Sequence, residues 1–193
     1  DVRRGWFLDA ECNSVGLSKK QLSYVQGSAK CPPYTQVKYA AMGDEMGTDN
    51  NACDIPLMRI EEMYYIMIEA QAMKGDATGA VELLNKFVNA YRDTEYLCEA
   101  TTKEEVQEAV WNQRRIEVWG EGLSWFDIKR LNKGVNRLGG GFPETAVFNF
   151  APNADELILP IPHSEKQYNV LITDNPVATV PQPIPDETEE EEK

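Results

Sequence analysis

The chain has 193 residues, a formal net charge of −13 and 42% hydrophobic content. That is long enough for one domain with a sizeable core. The acidic balance argues against a nucleic-acid phosphate partner, which needs a basic patch, and against electrostatic attachment to an anionic membrane surface.

The chain opens Asp1-Val2-Arg3-Arg4, without an initiator Met or an apolar signal segment, so it reads as a fragment or a processed product. No run of about 18 apolar residues occurs, so no stretch reads as a membrane-spanning helix. Residues 1–55 show no sustained helical period. Turn formers recur in Lys30-Cys31-Pro32-Pro33 and in Gly47-Thr48-Asp49-Asn50-Asn51. Val37-Lys38-Tyr39 could form a short strand. A segment this long without regular structure is expected to pack over a helical body.

A first helix is expected from Pro56, with Asp54 as its N-cap and Ile60, Met63, Tyr64, Met67, Ala70 and Met73 on one face. Lys74-Gly75-Asp76 ends it and caps the next. The second helix, about residues 77–91, aligns Ala80, Val81, Leu84, Phe87, Val88 and Tyr91. Ala70 and Ala80 are small enough to let the two axes approach closely. Thr102-x-x-Glu105 is a capping box for a third helix reaching about Trp119. Gly120-Glu121-Gly122 breaks it, and a fourth helix covers about residues 123–131.

Residues 132–155 read as loop. Leu157 to Pro162 reads as extended, because its prolines exclude helix. His163–Tyr168 is one helical turn. The fold class is therefore mainly α, built of tetratricopeptide-like helical hairpins with long irregular loops and little β. Three regions are expected: an irregular segment over 1–55, a helical region over 56–176, and a Pro-rich acidic tail over 177–193 that is disordered by composition. Asp186–Lys193 alone holds six acids and one lysine.

Candidate chemistry is sparse. The four cysteines, Cys12, Cys31, Cys53 and Cys98, lack Cys-x-x-Cys spacing, and His163 is the sole histidine, so neither a metal site nor a cofactor is expected. One or two disulfides are possible in an exported protein; isolated buried thiols are the equal alternative. Glu61/Glu62, Glu104/Glu105 and Glu117/Glu121 could be read as glycosidase pairs. Adjacent glutamates on a helix diverge, however, and capping explains Glu104 and Glu105. Gly139-Gly140-Gly141 lacks the lysine and hydroxyl of a phosphate loop.

Arg114, Glu117, Trp119, Glu121, Trp125 and Asp127 read instead as a structural brace between two helices. Arg114 and Glu117 are three residues apart and able to touch, and arginine can stack on indole. Aromatic side chains on loops, with Trp6, Tyr34 and Phe142 foremost, are candidates for stacking on sugar rings.

Four stretches also carry a resemblance. Asp1-Val2-Arg3 comes first. Leu57-Met58-Arg59-Ile60-Glu61-Glu62 runs on to Ala70, with Leu84-Asn85 and Arg92 following. Gln113-Arg114-Arg115-Ile116-Glu117 leads through Glu121-Gly122 to Phe126-Asp127-Ile128-Lys129-Arg130. Leu159-Pro160-Ile161-Pro162 with Glu165 and Asp174-Asn175-Pro176 closes the set. In this order they resemble the C-terminal half of the SusD/RagB family of outer-membrane nutrient-binding lipoproteins.

The resemblance implies a non-enzymatic, cell-surface glycan-binding component of a TonB-dependent uptake complex. Its expected partners are a SusC-like transporter and an oligosaccharide or peptide. It would be lipid-anchored through an N-terminal part outside this chain. The matched motifs are scaffold motifs, so no ligand residue carries over from them. The helical hairpins taken alone fit a peptide- or protein-binding repeat scaffold as the alternative.

Overall fold

A computed structural model describes residues 1–41 and 52–175. The turn cluster 47–51 and the acidic tail 177–193 lie outside the described residues. The chain divides after Glu121 into two compact units.

In the first unit, a 3-10 turn over Val2–Trp6 is followed by α1 (Lys19–Ser23), which continues into a π-helical turn, Tyr24–Ser28. The long helices are α2 (Ile60–Met73), α3 (Ala77–Tyr91) and α4 (Lys103–Glu117). The second unit holds α5 (Ser124–Arg130), two 3-10 turns and α6 (His163–Tyr168). Among the described residues there is no strand. Two isolated antiparallel bridges occur, Phe7 with Gln36 and Val135 with Phe150. Val37–Tyr39 is thus paired only at its edge and does not extend into a strand.

The ends of α3 and α4 follow their local chemistry. Gly75 takes a φ of +100°, the left-handed conformation that closes α2. Asp76 then accepts the Gly79 N–H at 2.9 Å, capping α3. At α4 the Thr102 hydroxyl accepts the Glu105 N–H at 3.2 Å, and the Glu105 carboxylate accepts the N–H groups of Thr101 and Thr102 at 2.8 and 3.0 Å. Those backbone donors hold the Glu105 carboxyl down to about 2, from an ordinary 4.5.

A depressed acid stabilises the fold above its ordinary value, and that contribution is lost as pH falls toward about 2. An NMR titration should show this low midpoint. Thr102→Ala keeps both backbone donors, so the midpoint should stay low, while loss of the hydroxyl cap should cost about 1 kcal/mol of stability in denaturant unfolding.

The helix expected from Pro56 begins later, at Ile60. Its N-cap is Arg59 in an extended conformation, with no side-chain cap, and not Asp54. Arg59 is withheld from the helix because its guanidinium is bound elsewhere, as described below.

The buried face of α2 also differs from expectation. Tyr65, Ile68, Glu69 and Ala72 point inward, while Ile60, Met63, Ile66 and Met67 are exposed. Apolar residues surround this helix on nearly every side, so spacing alone could not select a face. Ala72 and Ala80, both fully buried, are the small residues of the packed core, and Ala70 is exposed. With Leu84, Phe87, Val88, Cys98, Val106 and Val110 they form a core shared by α2, α3 and α4. A second small cluster, Leu8, Val25 and Val37, holds the irregular segment together.

Candidate functional site

Two constellations in the first unit are built from residues far apart in sequence. One surrounds the C-terminal end of α4, where carbonyls lack helical partners and the dipole is negative. Glu117, fully buried, adds a carboxylate there. Arg92 binds it twice, through Nε at 2.7 Å and NH2 at 2.9 Å. Arg59 binds it through NH1 at 2.9 Å, and Arg3 approaches through NH1 at 3.4 Å. Glu121 takes Lys38 at 2.6 Å and Arg59 at 2.9 Å.

The same cations satisfy the helix end itself. Arg3 donates to the Gln113 carbonyl, Arg59 to the Glu117 carbonyl, and Lys38 to the carbonyls of Glu117 and Trp119. Asp1 and Glu61 complete the charge balance through Arg3 and Arg92.

Gly120 makes this turn possible. Its φ is +77°, and a Cβ there would come within 2.9 Å of the Tyr39 ring. Burial alone would raise the Glu117 carboxyl; the hydrogen bonds and positive charge of Arg92 and Arg59 outweigh it, and the group ionises more readily than usual. A general acid needs the opposite shift. This cluster is chemically a clasp that ties the N-terminus, the 38–39 loop, the start of α2 and the end of α3 to α4.

The residues read as a brace fall into different places. Glu117 and Glu121 are at the centre of the clasp. Trp119 contributes its carbonyl and sets its ring edge-on to Phe7 at 5.0 Å. Arg114 reaches Glu62 on α2 at 2.7 Å. Trp125 and the buried Asp127 belong to the second unit, where Asp127 pairs with Arg130 at 2.8 Å. Cation–indole contacts occur at other tryptophans: Arg115 lies 4.7 Å over Trp111, and Lys38 lies 4.3 Å over Trp6. Sequence reasoning did not single out Arg3, Lys38, Arg59 or Arg92 as clasp members. The signal was available, because Arg3, Arg59 and Arg92 each stand inside a matched motif.

The second constellation is a cavity of about 530 Å³ in the irregular segment, lined by Arg4, Phe7, Asp9, Asn13, Ser14 and Tyr34 among others. Its walls are held by local chemistry. The Phe7–Gln36 bridge, with Leu8 N–H donating to the Thr35 carbonyl at 2.9 Å, brings Tyr34 beside residues 7–9. The Asp9 carboxylate accepts the N–H groups of Glu11 and Asn13 at 3.0 and 2.7 Å, fixing the loop. Ser14 donates to the Gly5 carbonyl at 2.6 Å.

Tyr34 is 68% exposed and takes a φ of +65°, unusual for a tyrosine. Of the three loop aromatics singled out from sequence, it alone is in this cavity wall. Trp6 is half-buried beneath Lys38. Phe142 is in the second unit, with Arg137 5.1 Å over its ring. The cavity residues Arg4, Asp9 and Asn13 carried no sequence signal of their own. Among the described residues no group of three or more His, Cys, Asp or Glu could hold a metal, and no helix is long and apolar enough to cross a membrane.

Comparison with known proteins gives this architecture a context. SusD-like protein P2 of Formosa agariphila is 30% identical over 150 residues, covering 72% of this chain and 28% of the relative. Two solved structures from Bacteroides vulgatus align at 28% identity. One, designated a sugar binding protein, has a TM-score of 0.55 and covers 69% of this chain and 31% of its own. The other, a SusD-like carbohydrate binding protein, has a TM-score of 0.52 and covers 62% and 30%. The chain thus spans less than a third of the length of these relatives. The SusD family matches residues 15–177, well over half of the sequence and through the long helices that carry the clasp, and the chain belongs to that family.

Proposed function

We propose that this chain is part of a non-catalytic, cell-surface glycan-binding protein that works with a TonB-dependent, SusC-like outer-membrane transporter in nutrient uptake. The observation that carries the reading is its membership of a family whose similar solved structures include a carbohydrate binding protein. The cavity beside Tyr34 is the proposed contact site. Its volume lies within the range of small-ligand sites. An exposed aromatic ring suits the apolar C–H face of a sugar, and the Asn13 and Asp9 side chains suit hydroxyl groups. Asp9 and Glu11 outnumber Arg4 in the wall, which favours neutral over anionic sugars.

Calorimetric titration of the intact chain with a panel of neutral oligosaccharides and peptides tests this. A neutral oligosaccharide should bind, and Tyr34→Ala should weaken it about tenfold, equivalent to about 1.4 kcal/mol of lost stacking. Binding confined to peptides would defeat the glycan assignment. Unchanged affinity in Tyr34→Ala would move the site elsewhere. Release of reducing sugar from a bound glycan would contradict the non-catalytic role. Affinity capture of the full-length protein from solubilised membranes should co-isolate a large β-barrel transporter.

A further inference from the structure

We propose that Cys12 and Cys31 form a disulfide that fixes the wall of the Tyr34 cavity. All four thiols are unbridged in the structure, yet these two are neighbours. The Cys12 Sγ lies 3.5 Å from the Cys31 carbonyl oxygen. Both residues are half-buried and pack on the same cluster of Leu8, Val25 and Val37.

Both backbones are already held. The Cys12 N–H donates to Asp9 at 3.1 Å, and the Cys12 carbonyl accepts from Gln26 at 2.9 Å; the Cys31 N–H donates to Val25 at 3.0 Å. Cys98 belongs to the other core, its N–H and carbonyl both bound by Asn85.

The family is surface-associated, so its members pass through an oxidising compartment on export. Formation is thiol–disulfide exchange. One thiolate attacks a sulfur of a donor disulfide and releases one donor thiol. The second thiolate then displaces the other donor sulfur. Two protons leave, two electrons pass to the donor, and the donor ends as two thiols.

The bond closes a loop of about 20 residues and removes that freedom from the unfolded chain. It joins the loop carrying Asp9 and Asn13 to the segment carrying Tyr34, three residues beyond Cys31. The consequence for sugar binding rests on the glycan reading above; the bond itself does not.

The test is to incubate the intact chain with glutathione disulfide, alkylate it, digest it without reduction and map it by mass spectrometry. The expected result is one linked species joining the Cys12 and Cys31 peptides, with Cys53 and Cys98 alkylated. Reduction should lower Tm by several degrees, a response absent in a C12S/C31S double variant, and should weaken oligosaccharide binding several-fold. Four alkylated thiols, or a bridge to Cys53 or Cys98, would overturn the proposal. If the bond maps as expected but neither redox form binds sugar, the glycan reading fails and the disulfide stands.

Discussion

Replacing Glu117 with alanine is expected to lower the unfolding free energy by about 3–5 kcal/mol, the scale for removing one partner of a buried ion pair. The magnitude follows from what is left behind. Arg3, Arg59 and Arg92 converge on this one carboxylate, and two of the three side chains are themselves at most 14% exposed. Without it, three guanidinium groups face one another across a space that water enters poorly. Asp1, Glu61 and Glu121 already pair with Arg3, Arg92, Arg59 and Lys38, so without Glu117 three carboxylates are left to balance four cations.

Glu117→Gln keeps the shape and one acceptor oxygen, so its loss should be smaller. The pH dependence has a definite sign. The Glu117 carboxyl is held below its ordinary 4.5. Its stabilisation is therefore complete above that value and lost as pH falls through the lower folded-state value. Urea unfolding of wild type and Glu117→Ala at pH 7 and pH 3 should show the gap narrowing in acid. A gap that is constant with pH would mean that packing, and not charge, holds the clasp.

The clasp also shows what the sequence could and could not disclose. The capping box at Thr102 and Glu105, the Gly75-Asp76 turn and the buried Ala80, Leu84, Phe87 and Val88 of α3 are set by neighbours within four residues and were legible; Tyr91, expected on the same face, is exposed at the helix end. The partners of Glu117 are 25 to 114 residues away. Local spacing suggested Arg114 instead, because it stands three residues before Glu117 on the same helix face. The resemblance held the missing information in another form. Asp1, Arg3, Arg59, Glu61, Arg92, Glu117 and Glu121 come from separate matched stretches, and the fold gathers them at one helix end.

The start of α2 was misplaced for the same reason. Pro56 is a sound local signal, but Arg59 is committed to Glu117 and Glu121, and that tertiary demand keeps the backbone extended to its N-cap. The cavity was the least legible feature. Only Tyr34 stood out. The bridge that delivers it pairs residues 7 and 36, and no periodicity announces a single bridge.

Phe87→Ala is the second large effect, expected at about 3–5 kcal/mol in the same assay. Phe87 is 4% exposed in the core of α2, α3 and α4. Tyr64 stacks on it at 4.7 Å, Tyr65 meets it edge-on at 5.4 Å, and Tyr91 tilts against it at 5.6 Å. Truncation removes all three ring contacts and leaves a void between two helices whose backbones are held by their own hydrogen bonds, so collapse is only partial. Phe87→Leu refills most of the volume and should cost about 1.5 kcal/mol.

The ring also touches the clasp, since the Arg92 guanidinium carbon lies 5.8 Å over it. Arg92 is thus held between the aromatic core and Glu117. Once Glu117 is gone, Arg92 loses two of its hydrogen bonds and is held less firmly over the ring, and Phe87→Ala then has less to remove. The double variant should therefore lose less than the sum of the two single losses, by about 0.5–1 kcal/mol. Strict additivity would separate core and clasp into independent units. Sub-additivity would establish that the helical core and the ionic clasp stabilise the fold as one structure, with Arg92 as the side chain they share.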